Sequence, residues 1–183
     1  MTDFATPGQM LDHAWAQMER AMEHPDSPCR LATLATLGNG AEARMVVLRH
    51  ADQGQGVVEI HSDAAAAKVA QLRRDPRGSL VFWMPGDRFQ IRLRVHFTVL
   101  TGSEAGSHWG ALSDGARRAY GGVPLPGEEM TGPTDHRPEA RQDRFAVLRG
   151  QVEQIDMLHL GDPHRRALFT ASASGFAGGW IAP

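Results

Sequence analysis

The sequence has little cysteine, little net charge and no long apolar run, and each shortage excludes a class of protein. Cys29 is the only cysteine, so no disulfide can form within the chain and no Cys-x-x-Cys pair can bind metal, which is typical of a reducing compartment such as the cytoplasm. The formal net charge of −2 gives no broad positive field for nucleic acid. No window approaches the roughly 18 apolar residues of a membrane span, and the N-terminus has no signal-peptide core. We expect a soluble, cytoplasmic protein that binds neither nucleic acid nor membrane.

The length and the turn-forming residues indicate one domain with a short appendage. The chain has 183 residues, including 20 glycines and 11 prolines. Apolar side chains recur at helical spacing from Leu11 to Met22, which predicts an amphipathic helix over residues 8–23 that Pro25 and Pro28 end. We therefore expect an N-terminal helix and linker over residues 1–28 and the main domain over residues 29–183.

Strand-like patterns dominate the main domain. A hairpin is predicted at residues 29–37 and 43–49 around the Gly38-Asn39-Gly40 turn. Further strands are predicted at residues 57–61, 79–83, 88–101 and 165–170, and residues 144–152 and 154–160 are predicted as two more strands or one bent strand. Helices are predicted at residues 64–74, capped by Ser62 or Asp63, and at 103–112 and 114–120, with a surface loop over residues 121–138. This content favours a mainly β, α+β fold: a small barrel decorated by helices.

The predicted strand at residues 88–101 alternates strictly between apolar and polar side chains. Phe89, Ile91 and Leu93 share one face with Val95, Phe97 and Val99, so that face should lie in the core. The other face carries Gln90, Arg92, Arg94, His96 and Thr98. It is either a solvated face, a row of salt bridges or part of a site.

One ordered set of residues has the composition of an anion and ring site. It consists of Arg44-Met45-Val46-Val47-Leu48-Arg49, His61-Ser62, Lys68 and Gln90. An arginine lies at each end of an apolar strand, a lysine lies on the next helix, and a glutamine side chain, which carries an amide, lies on a later strand. Arginine provides a planar fork and lysine a point charge, which together suit a phosphate. Arg44 and Arg49 have opposite strand parity, so their side chains should point to opposite faces of the strand and have different roles.

The set resembles the pyridoxamine 5′-phosphate oxidase family, and in particular its uncharacterised FMN-binding branch. The resemblance continues at Val152-Glu153-Gln154-Ile155 and at the ending Trp180-Ile181-Ala182-Pro183, so it covers the chain from about Cys29 onwards. It implies an FMN-binding split β-barrel that holds FMN noncovalently. It also implies a homodimer with the flavin cleft at the subunit interface.

The resemblance also assigns roles to residues. Arg44 and Lys68 would hold the FMN phosphate, with backbone amides at the start of the following helix. The cofactor-binding residues would be Arg44, Met45, Val46, Val47, Leu48, Arg49, His61, Ser62, Lys68 and Gln90, with Gln90 hydrogen-bonded to the flavin ring. Arg49 would attract an anionic substrate. No catalytic side chain is expected, because the cofactor carries the redox chemistry.

Several positions depart from the family pattern. Ala67 stands where a second basic residue usually precedes the helix lysine, and Leu158 stands in place of a tryptophan beside the flavin. A later family arginine falls near Leu168. Trp109, Ser113 and Arg117 stand where the family binds a substrate phosphate, and they match the family pattern poorly. Oxidation of vitamin B6 itself is therefore not favoured.

Two functions from different classes follow from the sequence. The leading one is an FMN-dependent oxidoreductase of pyridoxamine-5′-phosphate-oxidase type that acts on a small, anionic molecule. The alternative is a flavin- or haem-binding module without its own turnover. Arg44 and Lys68 could alternatively form a solvated rim with no ligand. Nucleic-acid binding through Arg92 and Arg94 is a remote alternative. The nine histidines include no HExxH pattern, so no metal site is predicted.

Overall fold

Eight strands form the framework in the computed structural model, which describes residues 4–183. They are β1 (Leu31–Leu37), β2 (Ala41–Asp52), β3 (Val57–Asp63), β4 (Arg77–Met84), β5 (Phe89–Thr101), β6 (Phe145–His159), β7 (Arg165–Ser172) and β8 (Gly175–Ile181). The strand order is β3-β2-β1-β4-β5-β6-β7-β8, and β3 also pairs with β6. The first six strands therefore close an antiparallel barrel, and β7 and β8 extend the sheet beyond it. The predicted mainly β barrel with helices is confirmed.

The described residues also form four α-helices. They are α1 (Pro7–Arg20), α2 (Ala67–Arg74), α3 (Gly106–Gly110) and α4 (Asp114–Arg117). Thr6 caps α1 by accepting from the Gln9 amide, and the Gln9 side chain accepts from the Thr6 amide in return. The apolar stripe of α1 packs into the main core, with Ala14, Trp15 and Met18 fully buried. The helical spacing in the sequence predicted this face correctly, whereas the boundary at residue 28 stays a prediction. No helix among residues 4–183 has the length and apolar character to cross a membrane.

The predicted cap of the second helix is wrong. Helix α2 begins at Ala67, three residues later than expected, and its N-cap residue Ala66 makes no side-chain hydrogen bond. The Asp63 carboxylate instead accepts from the Ala65 and Gly121 amides at 2.8 and 2.9 Å and from the Arg144 guanidinium at 2.7 Å. The Ser62 hydroxyl donates to the Asp63 carbonyl oxygen at 3.1 Å. Neither side chain therefore caps α2: Ser62 bonds its neighbour, and Asp63 joins a local amide to the distant Gly121 and Arg144.

The C-terminal strands were predicted only in part. Residues 145–159 form one strand, β6, which confirms the alternative of a single bent strand over that of two strands, and its pairing with β5 shifts at a bulge opposite Arg94 and Val95. Strand β8 was not predicted, because its sequence, rich in glycine, carries little strand propensity. Gly178 pairs with Phe169, and a Cβ at this glycine would collide with the Leu168 carbonyl oxygen. Close backbone approach explains the glycine there.

The alternation of β5 is confirmed and fixes the two sides of the barrel wall. Phe89, Ile91, Leu93, Val95 and Phe97 are buried in the main core. The intervening residues face outwards. Leu93 pairs with Leu80 on β4, Leu80 with Leu34 on β1, and Leu34 with Arg44 on β2. Arg44 is thus in register with a row of side chains that points into the barrel, whereas Gln90 lies on the outer face.

Candidate functional site

Strand β2 directs its two arginines to different sides of the barrel wall, as predicted. Val46 and Leu48 are buried in the core, and Arg44 shares their parity. Met45 points outwards and is 60% exposed, and the pairing of β2 with β3 shifts beside Arg49. The side chains of Val46 and Leu48 are enclosed by protein, so they would contact a ligand only through their backbone.

Arg44 lies in a polar cluster beneath α2. Its guanidinium donates to Thr36 Oγ1, to Gln71 Oε1 at 3.2 Å and to Glu42 Oε2 at 3.1 Å. Thr36 donates to Gln71 Oε1 at 2.6 Å, and Gln71 Nε2 donates to Glu42 at 2.8 Å. Thr36 and Gln71 are buried, whereas the Glu42 side chain is 45% exposed. The cluster therefore fixes the guanidinium at the end of the barrel with one side towards solvent.

Lys68 lies close to Arg44 and forms no ion pair with a carboxylate among residues 4–183. Its side chain is half-buried in the first turn of α2, and no hydrogen bond or ion pair to its ammonium group is formed by another residue of the described range 4–183. Burial lowers the pKa of Lys68, the charge of Arg44 lowers this pKa further, and Asp63 raises it. Lys68 thus lies in the first turn of an uncapped helix with a second cation, Arg44, close enough to repel it. An anion bound between them would relieve that repulsion.

Arg49 belongs to a second group, on the outer side of the barrel. Burial and the neighbouring charges of Arg49 and His108 lower the pKa of His61 to about 4. The Tyr120 hydroxyl lies against the Arg49 guanidinium, and burial of this phenol raises its pKa more than the arginine lowers it. The rings of His61 and His108 are perpendicular, with their centroids 6.0 Å apart. His61 is therefore neutral at physiological pH.

The low pKa of His61 predicts a specific pH dependence of stability. Because the unfolded imidazole titrates near 6.5, the unfolded chain takes up a proton at this site between about pH 6.5 and 4 while the folded chain does not. This histidine should therefore lower stability as the pH falls through that window, with a limiting slope of about 1.4 kcal/mol per pH unit. His61→Gln should flatten the slope in urea unfolding. An NMR titration of His61 with a midpoint above 6 would contradict the expectation.

Arg49 and His61 line a cavity of about 550 Å³ together with residues that the sequence pattern did not single out. Glu59 lies at its wall with 5% of its side chain exposed, 3.0 Å from His108 Nε2 and 3.5 Å from Arg149 Nη1. Glu59 is two residues before His61 on β3, so strand parity could have placed it on the same face. His108 and Arg149 come from α3 and β6, and only the tertiary fold brings them there.

Gln90 and Ser62 do not join these groups within one chain. Gln90 lies on the outer face of β5 opposite Trp83 and Leu158. Strands β1 and β4 separate it from β2, which amounts to about 14 Å along the barrel wall at the usual strand spacing. Ser62 is buried and engaged with the backbone.

The positions expected to bind a substrate phosphate are used for internal contacts. The Arg117 guanidinium lies over the Trp109 ring at 5.5 Å and donates to the Trp109 and Gly110 carbonyl oxygens. Ser113 caps α4 by accepting from the Ala116 amide. Histidine, cysteine and acidic side chains do not gather into a possible metal site anywhere in the described part of the chain.

Solved structures share this architecture. A pyridoxamine 5′-phosphate oxidase-related, FMN-binding protein from Nostoc punctiforme PCC 73102 superposes with a TM-score of 0.74 and 24% identity, over 96% of each chain. PhzG from Burkholderia lata 383, solved in complex with tetrahydrophenazine-1-carboxylic acid, gives a TM-score of 0.73 and 16% identity over 98% of this chain and 94% of its own. At these identities the likeness shows the fold alone. No curated protein matches the sequence.

The family itself is shown by the sequence. Residues 9–101 match the family model described as pyridoxamine 5′-phosphate oxidase, FMN-binding domain. This match covers half of the chain and spans β1 to β5, including Arg44, Arg49, Lys68 and Gln90. The chain therefore belongs to the pyridoxamine 5′-phosphate oxidase family, FMN-binding domain.

Proposed function

We propose that the chain binds FMN noncovalently and is an FMN-dependent oxidoreductase of pyridoxamine-5′-phosphate-oxidase type, with a small anionic substrate. The observation that carries the proposal is the pair of neighbouring cations, Arg44 and Lys68, within the segment that matches the FMN-binding domain model. A cytoplasmic location is part of the proposal and is supported by the single cysteine, which leaves no disulfide to form within the chain.

The residues at the cation pair fit the phosphate of FMN. A phosphate dianion needs several donors, and the Arg44 fork and the Lys68 ammonium supply two different kinds. Helix α2 starts at Ala67 without a side-chain cap, so its first amides add donors of the correct polarity. The Glu42 carboxylate is the one negative group bonded to Arg44, and its exposure places it where a phosphate would compete with it.

The outer face of the barrel supports a homodimer as part of the proposal. Leu31, Met45 and Trp83 are large apolar residues on the outer faces of β1, β2 and β4, and each is at least 45% exposed. Gln90 pairs with Trp83 and so adjoins this face. A second copy packed there would bury the exposed apolar residues and bring its own Gln90 towards the cofactor. This explains how Gln90 could serve the flavin while lying far from Arg44 in its own chain.

The chain needs no nucleophile for this function, because FMN when bound supplies the redox chemistry. The side chains of the chain would bind and orient the ligands. Arg44 and Lys68 would hold the phosphate, and Arg49 would hold an anionic substrate with the neutral His61 beside it. One observation favours the second candidate, a flavin-binding module without turnover. Trp109 on α3, Ser113 before α4 and Arg117 on α4 are engaged in contacts within the chain, where the family pattern places groups for a substrate phosphate.

The test is a flavin titration of the purified protein, followed by sedimentation and a donor screen. FMN should bind at least about tenfold more tightly than riboflavin, since only FMN offers a phosphate to the cation pair. The loaded protein should sediment at twice the chain mass. Bleaching of the flavin absorbance by a nicotinamide, amine or alcohol donor without oxygen supports the oxidoreductase, whereas bound flavin that no donor bleaches supports the module. Equal affinity for riboflavin and FMN would refute the phosphate site.

A further inference from the structure

The turn between β1 and β2 contains the only asparagine of the chain. Asn39 is followed by Gly40, and neither residue belongs to the proposed flavin-binding set. Both residues are exposed, in the short connection between Leu37 at the end of β1 and Ala41 at the start of β2. Glycine has no Cβ to restrict its backbone or to shield its own amide nitrogen. This nitrogen can therefore approach the side-chain amide of the preceding asparagine more readily than the nitrogen of a residue with a side chain could.

The backbone of Gly40 lacks the contacts that would protect its amide. Its carbonyl oxygen accepts from the Gly38 amide at 2.9 Å, but its own amide donates to no other group among residues 4–183. A Cβ at Gly40 would meet no atom within 4 Å, so nothing packs against this side of the turn. The Gly40 amide nitrogen and the space beside it are therefore both accessible in the folded chain.

The other side of the turn is held in place. The Arg74 guanidinium donates to the Leu37 and Gly38 carbonyl oxygens, both at 3.1 Å. A Cβ at Gly38 would collide with the Glu42 side chain and would lie 3.0 Å from Gln71 Nε2. The turn thus packs against the polar cluster beneath α2, and a change in the backbone of the turn would reach that cluster.

We propose that Asn39 is a site of spontaneous deamidation in the folded protein. The Gly40 amide nitrogen attacks the side-chain carbonyl carbon of Asn39, a step that is favoured because both groups belong to adjacent residues. As the new bond between nitrogen and carbon forms, the bond to the side-chain nitrogen breaks, and ammonia leaves with the proton of the attacking amide. Water then opens the cyclic imide at either of its carbonyl carbons. One opening gives aspartate and the other gives isoaspartate, whose main chain runs through the former side chain.

Each product places a new negative charge in the turn, next to the Gly38 carbonyl that Arg74 contacts. The formal net charge of −2 becomes more negative by one unit. Isoaspartate also adds an atom to the main chain, which disturbs the pairing of Leu37 with Ala41 that closes the turn. The modification therefore changes both the charge and the backbone of the turn that packs against the polar cluster beneath α2.

The test is incubation of the full chain at mildly alkaline pH, followed by peptide mapping in a mass spectrometer. The peptide that contains Asn39 should gain the mass difference between an amide and a carboxyl group, and fragmentation should show isoaspartate at this position. Gly40→Ala is the matched control, because the site accepts a methyl group without collision. This variant should convert at least about tenfold more slowly, since its Cβ restricts the backbone and hinders the attacking nitrogen.

Two further comparisons show whether the fold exposes the site. Gln53-Gly54 and Gln55-Gly56 would need a larger ring, and the Gly56 amide already donates to the Gln53 carbonyl oxygen at 3.1 Å, so both glutamines should convert more slowly than Asn39. Conversion at Asn39 in the folded chain should be within about tenfold of that in the urea-unfolded chain, because the Gly40 amide is unprotected. Stronger protection by folding, equal rates in the parent chain and Gly40→Ala, or faster conversion at either glutamine would overturn the inference.

Discussion

Replacing Arg44 and Lys68 together by alanine should lower the affinity for FMN by well over tenfold, or more than about 1.4 kcal/mol of binding free energy. The two cations lie close together, and Lys68 has no carboxylate partner among residues 4–183. Each loss removes a charge-assisted donor from the phosphate, and a bound dianion left with few partners is costly to desolvate. Quenching of flavin fluorescence on titration measures the effect.

Riboflavin is the decisive control for this variant. It lacks the phosphate, so its affinity should be nearly the same in the parent chain and in the double variant, whereas the preference for FMN should disappear. Arg73→Ala removes one positive charge from the exposed side of α2 and should leave FMN binding intact. Arg44 also bonds Thr36 and Gln71, so thermal unfolding must show that the variant is folded. FMN affinity within threefold of the parent value would remove the basis of the phosphate assignment.

Local patterns in the sequence predict those parts of the fold that one element determines alone. The period-two pattern of residues 88–101 assigned both faces of β5, and the helical spacing around Trp15 assigned the buried stripe of α1. Parity alone separated Arg44 from Arg49. In each case a single element carries the whole signal, since one face must lie against the core.

The errors occur where distant residues compete with local ones. Asp63 has the composition and position of a helix cap, yet Arg144 and the Gly121 amide lie more than fifty residues away and take its carboxylate. Strand β8 forms although its glycines give little local signal, because β7 offers a free edge for pairing. Contacts of this kind depend on the closed barrel, which a short window of sequence cannot specify.

The candidate site shows the same division. The order and spacing of residues in the sequence predicted Arg44, Lys68 and Arg49 as site residues. They did not predict the neighbours that set the charge environment of these residues. Gln71 comes from α2 and Arg30 from the segment before β1. Each is an ordinary polar residue by composition. Its role arises only when the barrel closes and brings it to a cation.

Asp63→Ala should destabilise the protein strongly, with a loss of about 3–5 kcal/mol in the free energy of unfolding. The Asp63 side chain is 8% exposed and Arg144 is 13% exposed, so truncation leaves a buried guanidinium without its partner. The Gly121 and Ala65 amides lose their acceptor at the same time. Urea unfolding followed by circular dichroism measures the loss at neutral pH.

A double-mutant cycle shows whether the buried pair is the cause. Asp63→Ala combined with Arg144→Ala should lose less stability than the two single losses added together, because the second substitution removes the charge that the first leaves unpaired. Asp143→Ala breaks the exposed pair with Arg141 and should change stability little, which makes it the surface control. Asp63 also raises the pKa of Lys68 and joins the start of residues 121–138 to β3. A loss of stability below about 1 kcal/mol in Asp63→Ala would show that the carboxylate is not structural.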